Sequence, residues 1–266
     1  MVTGTEEQLL RRACVELDIS GAVATVTLNR PEVKNAQTPS TWQALRAIGG
    51  RLDPAVRVVV VRGAGDSFSS GLDRRLLTPE GLEGEQSTLE LMRLPDRELA
   101  EAVAGFQEGF TWLRRDDIIS VAVVQGHAIG AGFQLALSCD LRVLADDAQL
   151  AMREPSLGMV PDLTGTKPLV ELVGYSRALE ICATGRVVTA DEAHHLGLAT
   201  AVVPRAELGA AVEDLVAALT AAPHGAVSGT KALLRTAASL DLDAQRLAER
   251  EAQVLRFREL SALLRD

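Results

Sequence analysis

The chain reads as an α/β protein organised on a mostly parallel sheet, and three features of its 266 residues predict that class. Valine-rich strand segments alternate with helical segments along the first part of the chain, the order that right-handed βαβ crossovers produce. Those strands are apolar almost throughout, as in Val56 to Arg62 and Ser120 to Val124, which suits strands buried on both faces. From about Thr164 onward the pattern is almost wholly helical, so a helical layer is expected to follow the sheet.

Taken in order, Cys14 to Ile19 and Val23 to Leu28 flank Ser20-Gly21 and predict an opening hairpin, the first arm alternating polar with apolar residues. Thr41 to Leu52 has helical spacing, with Ser40 or Thr41 as N-cap, and the strand Val56 to Arg62 follows. Residues 74–98 hold Pro79, Gly81, Gly84 and Pro95 among polar side chains, and read either as a flap beside a site or as a plain surface excursion. A further βα unit comprises helix Leu99 to Leu113, strand Ser120 to Val124, helix Ala131 to Ser138 and strand Asp140 to Ala145. The helical remainder comprises Leu169 to Val173, Arg177 to Thr184, Ala190 to Leu196, Glu207 to Leu219, Ala226 to Leu240 and Ala244 to Leu264. Residues 1–13 are expected to be an N-terminal extension, 14–200 the core and 201–266 a helical C-terminal region.

Composition narrows the function classes. With 47% apolar and 24% charged residues the chain is globular. A formal net charge of −9 argues against nucleic-acid and anionic-membrane surfaces. No apolar run reaches signal-peptide or membrane-spanning length, so a cytoplasmic location is expected. Cys14, Cys139 and Cys182 lack Cys-x-x-Cys spacing and suit reduced core thiols. His127, His194, His195 and His224 show no helical metal-ligand pairing, so no metal site is expected. Aromatic residues make up only 3%, which disfavours base or flavin stacking.

The chemistry-bearing segment is Gln125-Gly126-His127-Ala128-Ile129-Gly130-Ala131-Gly132-Phe133-Gln134, a turn of small residues leading from a buried strand into an apolar helix. Helix N-termini carry unpaired N–H groups and the positive end of the peptide dipole, so they attract a developing negative charge. Ser67-Phe68-Ser69-Ser70-Gly71-Leu72-Asp73, after the strand Val56 to Arg62 and Gly63-Ala64-Gly65, leaves its strand in the same manner. Two such segments meeting at one carbonyl oxygen would form an oxyanion hole; taken singly, each reads as an ordinary strand-to-helix turn.

Together these motifs resemble the crotonase superfamily, the enoyl-CoA hydratase/isomerase family. The resemblance runs from about Val15 to Phe257. It rests on Leu28-Asn29-Arg30-Pro31-Glu32 with Asn35-Ala36, on the two turns above, on Cys139-Asp140, and on Glu154-Pro155-Ser156-Leu157-Gly158-Met159-Val160-Pro161. It implies a ββα spiral core with a helical trimerisation region, assembled as a homotrimer or a dimer of trimers. It implies an acyl-CoA thioester as ligand, with coenzyme A part of the substrate and no separate cofactor. The thioester oxygen would accept hydrogen bonds from the backbone N–H groups of Leu72 and Ala131. The coenzyme A arm would pass Val33, Lys34, Ala36, Ser70, Gly71, Asp73 and Gly130, with Arg30 or Lys34 near phosphate.

By the same resemblance, the two glutamates of the hydratases fall at Gln134 and Glu154. An amide at Gln134 orients water but takes no proton from it, so the resemblance favours double-bond isomerisation with Glu154 as the proton-transfer residue. Asp162 stands where the dienoyl-CoA isomerase branch carries an aspartate; it reads either as a second catalytic acid or as the cap of the helix running to Val173. For Glu154 the structural alternative is a surface acid or a partner of Arg153. A hydratase with a modified site and a non-catalytic acyl-CoA carrier are the competing functional readings.

Overall fold

The computed structural model describes residues 4–263. Its elements in chain order are α1 (Gly4–Ala13), β1 (Val15–Ser20), β2 (Val23–Leu28), α2 (Pro39–Arg51), β3 (Val58–Gly63), α3 (Thr88–Leu91), α4 (Asp96–Thr111), β4 (Ile119–Val124), β5 (His127–Ile129) and α5 (Ala131–Ser138). These are followed by β6 (Leu141–Ala145), β7 (Gln149–Ala151), α6 (Thr166–Val173), α7 (Tyr175–Thr184), β8 (Val188–Thr189), α8 (Ala190–His195), β9 (Ala201–Val203), α9 (Leu208–Ala221), α10 (His224–Ala237) and α11 (Leu242–Leu263). The last residue of the helix expected over Ala244 to Leu264 lies outside the described residues.

The main sheet has the order β1-β2-β3-β4-β6-β9. Only the opening hairpin β1/β2 is antiparallel; every later pairing is parallel. Its two faces are covered differently. Val59, Val61, Ala122 and Val124 face a large core with Phe68, Phe110, Phe133 and Leu45, whereas Val58, Val60, Val121 and Val123 pack on Leu208 and Val212 of α9. Alternate residues of the same valine runs are therefore buried on opposite faces, which is why those strands read as unbroken apolar segments.

Several expectations are corrected. Residues 4–13 form a helix, whose Leu10 and Ala13 enter the main core. The cap of α2 is Thr38, in a capping box with Thr41, so the helix starts earlier than Ser40 or Thr41 would place it. Beyond Thr164 the chain is almost wholly helical as expected, with two short strands, β8 and β9, within it. Since β9 is the last strand of the main sheet and α9 covers that sheet, the core continues through residue 200 to Ala221.

A second sheet, β5-β7-β8, stands beside the first. Its strand β5 leads directly into α5. The segment after β3 runs parallel to β5, with Ser69 N–H donating to His127 O at 2.8 Å and Ile129 N–H to Ser69 O at 3.0 Å. Gln37 N–H then donates to Gly71 O at 2.7 Å on the other side. The chain at residues 69–72 is thus held between two neighbours, and this pairing sets the geometry of the site.

Candidate active site

The pairing of Ser69 with β5 places the two small-residue turns side by side. Gly71 has φ +84°, and a Cβ there would overlap the carbonyl oxygen of Ile129 and stand 3.3 Å from the amide nitrogen of Ala131. Only glycine permits that approach. Leu72 follows Gly71, and Ala131 is the first residue of α5, with Gly130 before it at φ +53°. Neither Leu72 N–H nor Ala131 N–H donates to an acceptor among the described residues. Both residues line one cavity of about 440 Å³. The two donors that the resemblance assigns are therefore adjacent, uncommitted within the fold and open to the same space.

Glu154 lines that cavity and is only 7% exposed, which excludes the surface-acid alternative. Nor is it paired with Arg153, whose guanidinium donates to Gly185 O at 2.8 Å. Glu154 Oε1 accepts from Gln134 Nε2 at 2.6 Å, while Oε2 is buried without a hydrogen-bond partner among the described residues. Burial pushes its carboxyl above the ordinary range, and the neighbouring Asp162 charge acts in the same direction; the Gln134 hydrogen bond opposes both. A Cβ on Gly130 would sit 3.3 Å from Glu154 Oε1, so the glycine that opens α5 also makes room for the carboxylate.

Gln134 is fully buried and does not line the cavity. Its Oε1 accepts from Leu163 N–H at 2.9 Å and Gly165 N–H at 3.2 Å. The expected water-orienting amide thus stands behind Glu154, with its oxygen already bonded to backbone. Asp162 does line the cavity, and crowding by the protein raises its carboxyl above the usual value. It is not the helix cap: that position belongs to Gly165, without a side-chain cap bond, because α6 starts only at Thr166.

The remaining expected residues divide into two groups. Ser70, Gly71 and Gly130 line the cavity, whereas Arg30, Val33, Lys34, Ala36 and Asp73 do not. Arg30 donates to Ala36 O and to Asp73 Oδ2, each at 3.0 Å. Ser70 donates to Lys34 O through its N–H and to Val33 O through its hydroxyl, which ties the 30–36 loop to the oxyanion segment. Asp73 also accepts from Arg75 at 2.7 Å and is held down to about 2, the Arg75 hydrogen bond being the largest cause. Because the folded value lies below the ordinary one, this pairing stabilises the protein above the normal carboxylate pKa and is lost as pH falls through about 2. Asp73→Asn is expected to lower unfolding stability by roughly 1–2 kcal/mol at neutral pH, discounted because Arg75 is half exposed. Denaturant unfolding at neutral pH and near the folded Asp73 value of about 2 checks it: the deficit should shrink at the lower pH.

The cavity wall lies outside the residues that the sequence motifs mark. Trp42 and Phe106 pack with tilted rings, 4.8 Å between centroids, and line the cavity together with Leu76, Leu91, Leu99 and Val103. The flap reading of residues 74–98 agrees with this placement, since Leu76, Thr88 and Leu91 face the cavity. Glu85 fastens the segment down, accepting from Thr38 Oγ1 at 2.9 Å and from Ser40 N–H at 3.0 Å. The signal available was the helical spacing of Leu99, Val103 and Phe106.

Comparison with known proteins agrees with this geometry. A Thermobifida fusca YX protein solved in complex with acetoacetyl-CoA superimposes with a TM-score of 0.92 at 51% identity, over 97% of this chain and 99% of that one. A Thermobifida fusca YX protein in complex with CoA gives 0.91 at 51% identity, covering 96% and 97%. Among sequence relatives, the carnitinyl-CoA dehydratase of Escherichia coli K12 is 31% identical over 231 residues, 86% of this chain and 83% of that protein. The (E)-benzylidenesuccinyl-CoA hydratase of Thauera aromatica is 30% identical over 229 residues, 82% and 80%. The family model described as enoyl-CoA hydratase/isomerase matches residues 18–261, and with the spiral core and paired backbone donors already in place, this chain belongs to that family, within the crotonase superfamily.

Proposed function

We propose that the chain isomerises the double bond of an acyl-CoA, with Glu154 as the single base and the N–H groups of Leu72 and Ala131 as the oxyanion hole. One observation carries this reading: the residues bearing two uncommitted backbone donors, Leu72 and Ala131, line one cavity with Glu154, whose carboxyl is buried with one oxygen unbonded among the described residues. Bound with its thioester oxygen on the two amides, a 3-enoyl-CoA loses its C2 proton to the Glu154 carboxylate. The electron pair moves into the thioester as a dienolate, whose charge the amides stabilise. The same carboxyl returns the proton at C4, leaving a 2-enoyl-CoA. Burial of Glu154 moves its carboxyl toward the pH at which proton transfer in both directions is efficient.

Hydration is disfavoured because the position of the first hydratase glutamate holds an amide committed to Glu154, Leu163 and Gly165. Asp162 shares the cavity and is the second acid of the site, suited to dienoyl substrates. Coenzyme A lies along Ser70, Gly71 and Gly130 and past the 30–36 loop, where Lys34 has no acidic partner among the described residues. Leu234, Leu242, Val254, Leu255 and Phe257 are exposed on the last two helices, which supports assembly as a homotrimer or dimer of trimers. A cytoplasmic location goes with this reading. No helix among the described residues is long and apolar enough to cross a membrane.

Turnover of 2-enoyl-, 3-enoyl- and dienoyl-CoA substrates, measured alongside their binding, tests the function. Fastest turnover is expected with 3-enoyl-CoA. Tight binding without turnover of any of them, unchanged by Glu154→Gln, would replace the isomerase with an acyl-CoA carrier.

A further inference from the structure

Gln134 makes no contact with the cavity, yet it is fully buried beside Glu154 and each of its amide ends is spoken for by a different neighbour. Its oxygen lies within reach of two backbone donors, Leu163 N–H and Gly165 N–H. Both donors belong to the loop before α6. The amide therefore has one orientation, oxygen toward the loop and NH₂ toward Glu154. Gly165 is part of the arrangement: a Cβ there would stand 2.7 Å from Gln134 Cγ. Gly130 also leaves room at the carboxylate, since a Cβ there would stand 3.3 Å from Oε1. The carboxyl group is thus fixed at one oxygen, and the other is buried without a partner among the described residues.

We propose that Gln134 is a positioning residue that converts Glu154 into a one-oxygen base, by donating to Oε1 and leaving Oε2 as the one carboxylate oxygen without a hydrogen-bond partner among the described residues. This rests on the reading of Glu154 as the proton-transfer residue. The amide's loss of the hydratase carboxylate is then a gain for isomerisation, because the proton taken from C2 stays on an oxygen that cannot rotate away before it is delivered to C4. The groups facing Glu154 from the elements packed on it are Gln134 on α5, Asp162 before α6, Cys182 on α7 and the adjacent Arg153. Asp162 raises the Glu154 carboxyl and the Gln134 hydrogen bond lowers it, so removing Gln134 leaves the raising influences unopposed by that bond.

The test compares Gln134→Met and Gln134→Glu with the wild type, measuring kcat and KM for 3-enoyl-CoA over a range of about five pH units spanning the carboxylate and neutral regions. Acetoacetyl-CoA affinity serves as the folding check. For any variant that keeps wild-type affinity, kcat should fall by about tenfold or more with KM little changed, and the acidic limb of the profile should move to higher pH. The displacement should be larger, about one unit or more, for Gln134→Glu, because two carboxyls at this separation share a proton. Gln134→Glu keeps the shape and the two loop acceptor bonds, so it decides the matter if Gln134→Met loses affinity. An unmoved acidic limb with unchanged kcat in a thioester-binding variant overturns the proposal. Wild-type turnover by Glu154→Gln would instead overturn the reading of Glu154 itself, whatever the Gln134 variants do.

Discussion

Glu154→Gln is expected to lower kcat for 3-enoyl-CoA isomerisation by about 10²–10⁴-fold, the usual worth of a positioned proton-transfer group, while leaving thioester binding intact. The substitution is isosteric: Gln134 Nε2 still finds an acceptor in the new amide oxygen, and the oxyanion donors sit on other elements. The prediction extends to stability, where its sign is opposite to that of Asp73. Burial holds the folded Glu154 carboxyl above its unfolded value. Its favourable contribution is therefore present at low pH and is lost as pH rises through the folded value, where an ionised carboxylate must be kept in a poorly solvated place. The variant, neutral throughout, should equal the wild type in acid and match or exceed it above neutrality. Steady-state kinetics with 3-enoyl-CoA and denaturant titrations in acid and above neutrality measure the two effects. Retention of full turnover would remove Glu154 from the chemistry.

Ala131→Pro is expected to cost about 10²–10³-fold in kcat, the loss that accompanies deletion of one oxyanion donor. Ala131 is the first residue of α5, and proline is tolerated at that position because its missing N–H has no helical acceptor there. The substitution therefore deletes the donor without deleting a hydrogen bond of the fold. The ring also directs carbon toward the space where the thioester oxygen sits. Leu72→Ala is the paired control: it truncates a side chain but keeps its N–H, and kcat should change far less. Comparison of kcat for the two variants, with circular dichroism to verify that helix content is preserved, separates a main-chain donor from a side-chain effect. Equal losses in both would refute the assignment of the donors.

The parts of the site written in contiguous stretches are legible in the sequence alone. Gly130-Ala131 after a buried strand, Gly71-Leu72 after another, and Glu154 within its own short motif each carry local signals, and all of them line the cavity. The strands β2, β3, β4 and β6 are legible for a similar reason, since burial on both faces gives an apolar run. The strands β5, β7, β8 and β9 are not: each is two or three residues long, too short for any periodicity. The cap of α2 is displaced because Thr38 precedes a proline, which is well suited to the first helical turn. The position of Gln134 is the least legible. Its orientation depends on Leu163 and Gly165, about thirty residues further along, and without that loop the amide reads as free to meet water. Arg30 and Asp73 likewise read as available for ligand, and instead hold each other and the neighbouring loops.

The reliance of the site on main-chain donors has a consequence for how such a protein diversifies. A single codon change can enlarge, shrink or charge the wall around Trp42, Leu91 and Phe106, but among the encoded amino acids only an imino acid deletes either of the two donors. Descendants of this chain are thus free to explore new acyl groups while inheriting the carbonyl-polarising device almost intact.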